Sequence, residues 1–334
     1  MAIDNKDKKI LNVPHLRFPE FSGEWEMVSL QDIATINPKS DPLQNTFIYI
    51  DLEAVEKGEL RKIQEIMREE APSRAQRVID NNDILFQCVR PYQKNNYIHR
   101  ILNTSNQQWV ASTGYAQIRT TELPNYIYHL LNTDEFNRKV MVRCTGSSYP
   151  AINSEDLATI HLYYTPDKKE QLKISRLLDL LDKRIATQNK IIEKLQSLIK
   201  GIAQHCIKES TSGNTYVKLG DICQITTGKL DANAQVDNGI YPFFTCAEQP
   251  FKIDSFAFDT EALLISGNGA NLGYINYYKG KFNAYQRTYV LDLFSENIQY
   301  IKWALKVLLP KRIAIEKSSS NTPYIVLSTL TDLR

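Results

Sequence analysis

The sequence predicts an α/β (α+β) fold in which two similar modules are joined by a long helix of the coiled-coil type. An a/d-type apolar pattern crosses the middle of the chain, and short runs rich in β-branched and aromatic residues lie on both sides of it. The two flanks also share motifs at constant offsets, which indicates an internal repeat. The predicted segments are a first module over 1–165, a spacer helix over 166–209 and a second module over 210–334.

Length, composition and charge are those of an ordinary globular protein. The 334 residues are 43% hydrophobic and 23% charged, which excludes wholesale disorder. The formal net charge is only +2, so any basic surface must be local. No apolar run could span a membrane, and the N-terminal stretch lacks the apolar core of a signal peptide. We therefore expect a cytoplasmic protein with no membrane partner.

No catalytic, metal or cofactor motif is found in the sequence. The five cysteines include no C-x-x-C pair, which favours neither a zinc site nor a disulfide framework. The glycine-rich stretch "GNGANLG" at 267–273 lacks the Lys-Ser/Thr of a phosphate loop, and we interpret it as a connection that follows a strand. Metal-nuclease and amino-methylation motifs are absent as well. We expect no catalytic residues, no metal and no cofactor.

The spacer helix is predicted from apolar residues that alternate at spacings of three and four, as in the seam of a coiled coil. The seam residues are Leu178, Leu181, Ile185, Gln188, Ile192, Leu195, Ile199 and Ile202. Thr165 as N-cap, with Pro166 and Asp167 after it, favours a start there, and the helix is expected to end near Ile207. A core helix within one domain is the alternative, but average globular helices have only about three turns.

The flanks of this helix begin and end alike. The motif "LQDI" at 30–33 matches "LGDI" at 219–222, an offset of 189 positions from residue 30 to residue 219. The ends match at an offset of 173 positions, where Pro150 corresponds to Pro323, Ile152 to Ile325 and Leu157 to Leu330. A small-residue turn is predicted before each proline. Strand-like runs and then a helical stretch are predicted between the two ends of each flank.

This order of motifs resembles the specificity (S) subunit of type I restriction-modification systems. The opening "VPHLRFPEFSGEWEMVSLQDIA" and the helix "EQLKISRLLDLLDKRIATQNKIIEKLQSLIKGIAQ" are similar to that family, and so are the Ser-rich turns before Pro-x-Ile. The resemblance extends from about Val13 to Arg334. Each motif alone is weak, but their order and duplication are specific.

The resemblance implies a non-catalytic subunit with two target-recognition domains, each reading one half of a bipartite site in double-stranded DNA. It also implies docking of methyltransferase (M) subunits and, through them, restriction (R) subunits. The family has a second, distal helix that we do not find after Leu333. The seam is therefore expected to pair by self-association or with a separate distal-helix fragment. A helical-spacer adaptor that bridges proteins and binds no DNA is the alternative, and an independent nucleic-acid-modifying enzyme is disfavoured.

Candidate DNA contacts are polar, basic and aromatic residues in predicted loops. A solvated surface is the ordinary alternative for each of them singly. The candidates are Arg90, Tyr92, Gln93, Lys94, Asn95, Tyr97, Ser147, Ser148, Tyr149, Tyr285, Gln286, Arg287, Lys317, Ser319 and Asn321.

Overall fold

The computed structural model describes residues 12–100, 107–211, 213, 216–320 and 324–334, and only the backbone of 211 and of 318–320. The chain divides into two compact units, Met1–Thr187 and Gln188–Arg334, and the division falls inside the central helix. The predicted division into two modules and a separate spacer helix remains a prediction, because the two compact units each include part of the helix.

The first unit is a mixed α/β module that leads into the central helix. Its strands are β1 (Glu26–Ser29), β2 (Thr35–Ile36), β3 (Thr46–Ile50), β4 (Val55–Glu56), β5 (Glu59–Leu60), β6 (Gln64–Met67), β7 (Ala75–Ile79), β8 (Ile84–Gln87), β9 (Tyr97–Ile98), β10 (Gln108–Ser112), β11 (Tyr115–Arg119) and β12 (His161–Tyr164). Its helices are α1 (Leu30–Ile33), α2 (Pro124–Leu131), α3 (Asp134–Arg143) and α4 (Ser154–Ala158).

Two four-stranded sheets form the body of this unit, with the orders β6-β3-β10-β7 and β2-β11-β8-β9. Strand β10 is parallel to β3 and antiparallel to β7, whereas β11 is antiparallel to both β2 and β8. All four residues of β8 are buried, as its continuous apolar run predicts. Strand β8 therefore lies in the core and directs the chain that follows it towards the surface.

Helices α2 and α3 cover one face of the second sheet. Phe86 of β8 meets Phe136 of α3 edge to face at 5.8 Å, within a cluster that also buries Leu30 and Leu157. Thr133 caps α3 by accepting a hydrogen bond from the Phe136 amide at 3.3 Å. The helical stretch predicted for this flank is thus confirmed, and it consists of two short helices.

The central helix α5 runs from Lys168 to Thr211 and confirms the predicted long helix. Its N-cap differs from the prediction. The Asp167 carboxylate accepts hydrogen bonds from the amides of Lys169 (2.8 Å) and Glu170 (3.3 Å). The predicted cap, Thr165, instead donates its hydroxyl to the Glu170 carboxylate at 2.7 Å. Asp167 can cap because its side chain reaches the free amides of the first turn.

The second unit repeats much of this arrangement around one six-stranded sheet of order β13-β18-β16-β17-β14-β15. Its strands are β13 (Gln224–Thr227), β14 (Tyr241–Phe244), β15 (Phe251–Ile253), β16 (Phe258–Ser266), β17 (Ile275–Ala284) and β18 (Thr288–Asp292). Its helices are α6 (Leu219–Ile222), α7 (Ile298–Ser320) and α8 (Leu327–Thr331). The "GNGANLG" stretch joins β16 to β17, as predicted.

The predicted duplication is confirmed at the level of backbone register. Strand β11 pairs with β2 and β8 in the first unit as β18 pairs with β13 and β16 in the second. The pairs Ile118–Ile36 and Leu291–Ile225 occupy the same place in the two ladders. The two modules therefore share a three-stranded frame.

Hydrogen bonds outside the ladders repeat as well. The Leu30 amide donates to the Ile160 carbonyl at 3.0 Å, and the equivalent Leu219 amide donates to the Leu333 carbonyl at 2.8 Å. These bonds tie the start of each module to its end. They explain why the "L-x-D-I" motif and the Pro-x-Ile motif occur together.

Candidate nucleic-acid interface

The first candidate surface is the loop after β8. Pro91–Gln93 form a short 3₁₀ turn, and the residues on each side, Arg90 (φ 54°) and Lys94 (φ 51°), are left-handed. Non-glycine residues rarely adopt this conformation, so it is held by the surrounding structure. One restraint is the Arg90 amide, which donates to the Pro150 carbonyl at 2.7 Å.

Gln87, the last residue of β8, anchors this loop from below. Its side-chain nitrogen donates to the Val89 carbonyl (2.8 Å) and to Oε1 of Gln93 (2.9 Å). Its side-chain oxygen accepts from the Asn95 amide at 3.2 Å. Gln87 is 2% exposed, and a buried amide that meets three loop groups fixes the loop at both ends.

The loop lines an open cleft of about 920 Å³. Arg61, Arg74 and Arg90 contribute to its walls, together with Gln93 and Tyr149. The guanidinium carbon of Arg90 lies 4.2 Å from the centroid of the Tyr149 ring, a cation–π distance. The walls combine planar fork donors, an amide and an aromatic face, which are the groups that read base edges and phosphates.

The cations of this cleft differ in their partners. Arg61 forms ion pairs with Glu56 at 3.4 Å and Glu59 at 2.8 Å. Within the described ranges, neither Arg74 nor Arg90 has a carboxylate at salt-bridge distance. A guanidinium without a carboxylate partner is ready to accept an external anion or a base acceptor pair.

Most of the loop residues predicted as DNA contacts lie together here. Tyr92 is 52% exposed, Gln93 is exposed, and Asn95 is half-buried. The Lys94 ammonium donates to the Asp134 carboxylate at 2.5 Å, and this contact lowers the pKa of Asp134. Lys94 is therefore partly engaged within the module.

The turn at Ser147, Ser148 and Tyr149 is exposed, and Tyr149 places its ring at the Arg90 guanidinium. Tyr149 therefore lies beside the "RPYQKNNY" loop, an arrangement that the sequence analysis did not predict. The two serines stay predicted contacts.

Tyr97 does not belong to this surface, and its prediction as a DNA contact is wrong. It lies in β9, is 7% exposed and packs in a cluster with Leu85 and Trp109. Burial raises the pKa of its hydroxyl. Strand alternation turns the ring of Tyr97 into the core, where no base can stack on it.

The predicted contacts of the second module are only partly brought together. Tyr285 is half-buried, while Gln286 and Arg287 are exposed. The Arg287 guanidinium carbon lies 5.9 Å from the centroid of the Tyr324 ring. Lys317 is exposed and lines a cavity of about 120 Å³ with Tyr324 and others.

The turn predicted around Lys317 and Ser319 is wrong, because α7 continues to Ser320. Lys317 therefore projects from a helix. The side chain of Ser319 and all of Asn321 lie outside the described residues.

Sequence reasoning missed three residues of the first cleft: Arg61, Arg74 and Gln87. The two arginines lie in polar segments, and the spacing of residues in the sequence does not show which other segments these contact in the fold. Gln87 carried a usable indication, because a glutamine inside the apolar run "DILFQCV" must find partners when it is buried. Its partners prove to be the loop that follows.

The seam of α5 is largely exposed along the helix. Leu178 is half-buried, and Gln188 is exposed. The remaining apolar seam residues have exposures between 47% and 59%, and they are Leu181, Ile185, Ile192, Leu195, Ile199 and Ile202. An apolar stripe of this length is characteristic of a surface that pairs with another helix.

Over the described part of the chain, no group of three or more His, Cys, Asp and Glu residues is placed to hold a metal ion. No helix in the same ranges has the length and apolar character needed to cross a bilayer.

The described features define a class of α/β proteins in which two modules with a common three-stranded frame flank a long helix. The family described as type I restriction modification DNA specificity domain matches residues 22–197 and 211–334. The chain belongs to this family, which confirms the resemblance drawn from the motifs.

Relatives agree with this assignment. The type I restriction enzyme EcoDI specificity subunit of Escherichia coli is 46% identical over 117 residues, which are 35% of this chain and 26% of that protein. The chain thus aligns with about a quarter of that relative's length.

Two solved structures share the fold. The type I restriction-modification S subunit from M. genitalium has a TM-score of 0.60 at 17% identity, covering 93% of this chain and 83% of that chain. A chain from a study of complex assembly and conformational transition of the type I R-M system has a TM-score of 0.57 at 22% identity, covering 96% and 86% respectively.

Proposed function

We propose that this chain is a non-catalytic DNA-recognition subunit of a type I restriction-modification complex. Its first target-recognition domain is 1–165, its second is 210–334, and each reads one half of a bipartite site in double-stranded DNA. Residues 166–209 are the spacer between the two domains. The protein works in the cytoplasm, where methyltransferase subunits dock on it and restriction subunits join through them.

One observation supports this proposal most strongly. The frame formed by β2, β11 and β8 recurs as β13, β18 and β16 with the same register. Each frame carries an arginine beside an exposed tyrosine. A duplicated reading surface suits a bipartite DNA site, because DNA sequence is read by hydrogen-bonding side chains at base edges.

The helix seam is the second interface of the proposal. Burying a leucine or isoleucine side chain stabilises an assembly by about 1.5–3 kcal/mol, so the exposed stripe of α5 favours association. We assign it to an antiparallel pairing of two copies about a two-fold axis. Gln188 is near the midpoint of the seam, where it would meet its symmetry mate. A separate distal-helix fragment or a methyltransferase subunit becomes the proposed occupant if the wild-type chain alone stays monomeric in sedimentation velocity.

The test of DNA recognition is a gel shift with a pool of random duplexes, using the chain together with its methyltransferase subunits. Selective retention of duplexes that share a bipartite sequence is expected. Arg90→Ala and Gln93→Ala should reduce that selectivity, and Arg138→Ala, an exposed arginine on α3, serves as the matched control. Binding of protein partners without any duplex retention would favour the adaptor and refute the proposal.

A further inference from the structure

The shared register makes the two reading surfaces comparable residue by residue. Pairing of β8 with β11 places Gln87 opposite Tyr115, and pairing of β16 with β18 places Ser266 opposite Thr288. The next residues are also equivalent. The Cys88 amide donates to the Gly114 carbonyl at 3.0 Å, as the Gly267 amide donates to the Arg287 carbonyl at 2.8 Å.

The loops after these strands then follow the same path. Arg90 and Lys94 are left-handed in the first module, and Gly269 (φ 78°) and Gly273 (φ 83°) are left-handed at the equivalent places in the second. The Gln93 amide donates to the Arg90 carbonyl at 3.0 Å. The Leu272 amide donates to the Gly269 carbonyl at 3.2 Å in the same way. The "GNGANLG" stretch is thus the counterpart of the "RPYQK" loop.

This correspondence reveals an exchange of arginine and glycine between two neighbouring positions. At the loop position, the first module has Arg90 and the second has Gly269. At the position before the following strand, the first module has Gly114 and the second has Arg287. Each module therefore carries one arginine at this pair of positions. In the first module it is at the loop position, and in the second it is at the position before the following strand.

Both arginines end beside a tyrosine close to the end motif, but from different positions: Tyr149 precedes Pro150, whereas Tyr324 is the middle residue of Pro-x-Ile. Arg90 lies 4.2 Å from the Tyr149 ring centroid, and Arg287 lies 5.9 Å from that of Tyr324. Both tyrosines are well exposed, at 64% and 44%. In the ranges that the structure describes, no carboxylate reaches the guanidinium of Arg287 within 4.0 Å, as for Arg90.

The space beside these positions differs between the two modules. A Cβ added at Gly114 would lie 2.9–3.1 Å from the side-chain carbons of Leu52, so Leu52 would have to move to admit a side chain there. A Cβ at Gly269 would meet no atom within 4 Å. The second module therefore has space for a side chain at its loop position, although a residue other than glycine there must adopt a strained left-handed conformation, as Arg90 does in the first module.

We propose that Arg90 and Arg287 are the specificity-determining arginines of the two modules and that each reads a guanine in its own half-site. A guanidinium stacked on a ring keeps its edge free, and that edge matches the O6 and N7 acceptors of guanine in the major groove. The inference rests on the proposed DNA-recognition function. It adds which residue makes the discriminating contact in each half-site and which base it contacts.

The experiment selects duplexes from a random pool with the chain and its methyltransferase subunits, for wild type, Arg90→Ala and Arg287→Ala. A guanine preference should disappear from one half-site in the first variant and from the other half-site in the second. Affinity for the wild-type site should fall about ten- to hundred-fold in each case. Arg138→Ala and Lys311→Ala, which change exposed cations elsewhere, should leave both half-sites unchanged.

A rescue variant tests the exchange itself. Gly269→Arg combined with Arg287→Ala puts the second module's arginine at the position that Arg90 holds in the first. It should restore guanine preference in the half-site that Arg287→Ala alone has lost. Thermal unfolding of both variants verifies that the module remains folded.

Three results would overturn the inference. If Arg90→Ala and Arg287→Ala still select the same bipartite sequence, the assignment of these arginines is wrong but the proposed DNA recognition stands. A folded double variant that stays non-selective removes the equivalence of the two positions. Failure of the wild-type complex to select any duplex removes the proposed function and this inference with it.

Discussion

The contact between Arg17 and Glu170 is expected to be the main polar anchor at the start of the central helix. The Glu170 carboxylate is fully buried. It accepts from Nε of Arg17 (2.6 Å), from Nη2 of Arg17 (2.8 Å) and from the Thr165 hydroxyl (2.7 Å). Arg17 also donates to the Ser22 and Gly23 carbonyls. One carboxylate thus links the N-terminal segment to the first turn of α5.

Arg17→Ala should lower the free energy of unfolding of the first module by about 2–3 kcal/mol. Breaking a buried ion pair from one side typically costs about 3–5 kcal/mol, because the remaining charge stays buried. The Arg17 side chain is 14% exposed, so water can reach the remaining carboxylate and the expected loss falls to the lower limit of that range or just below it. Arg17→Met with Glu170→Leu should cost less than Arg17→Ala alone, since no unpaired charge is left.

The effect should depend on pH in a defined direction. Burial alone would raise the pKa of Glu170, but the hydrogen bonds from Arg17 and Thr165 lower it below its usual value. A carboxyl whose folded pKa is lowered contributes stability above its unfolded pKa of about 4.3, and this contribution is lost as the pH falls through the folded pKa. In Arg17→Ala burial dominates and the pKa rises, so protonation relieves the buried charge. The difference between wild type and variant should therefore shrink from pH 7 towards pH 4.

Urea unfolding followed by tryptophan fluorescence at pH 7 and pH 4.5 measures both effects. Glu20→Gln is the matched control, because it removes an exposed ion pair between the N-terminal segment and Lys173 of α5. This substitution should leave the free energy of unfolding unchanged. An Arg17→Ala variant as stable as the wild type at pH 7, or a penalty that grows on acidification, would refute the reasoning.

The wild-type chain should self-associate in sedimentation velocity at tens of micromolar, a concentration on the order of typical affinities. Leu181→Glu with Leu195→Glu should give a monomer at the same concentration. A monomeric wild type would contradict the pairing. Gly267→Ala should destabilise the second module by about 2–4 kcal/mol in thermal unfolding, because its Cβ would lie 2.4 Å from the Arg287 carbonyl oxygen; an unchanged midpoint would show that the backbone can move. Gln87→Leu should weaken specific duplex binding about ten-fold, because the hydrogen bonds from Gln87 to the loop are lost, while salt-sensitive non-specific binding persists. An equal loss of specific and non-specific binding would show that the substitution disturbs the folding of the module instead.

Periodicity in the sequence predicted the parts of the fold that depend on local chemistry. The spacer helix is predicted over 166–209, and α5 spans Lys168–Thr211. The cap was misassigned because Thr165 and Asp167 are both good caps, and the Thr165 hydroxyl is taken by the Glu170 carboxylate. That carboxylate is held by Arg17, which is far away in the sequence, so spacing could not reveal the choice.

The candidate interface was predictable where residues are consecutive and missed where they are not. Arg90 and Gln93 were found because they lie in one polar stretch. Arg74 reaches the same cleft from a distant segment, so spacing could not reveal it. Tyr97 was included wrongly because a two-residue strand is too short for its alternation to be recognised.

The two modules differ in length among the strand connections of the frame but not in the helical segment that follows it. From Ile36 to Ile84 the first module advances 48 positions, whereas Ile225 to Leu263 takes 38.

From Arg119 to Ala151, through the helices, the count is 32, and from Asp292 to Tyr324 it is again 32. The length difference thus lies among the strand connections, which wall the cleft in the first module, while the helical half has the same length in both modules. For the proposed DNA-recognition function, this means that exchanging those connections would change the target preference while the frame that carries them stays the same.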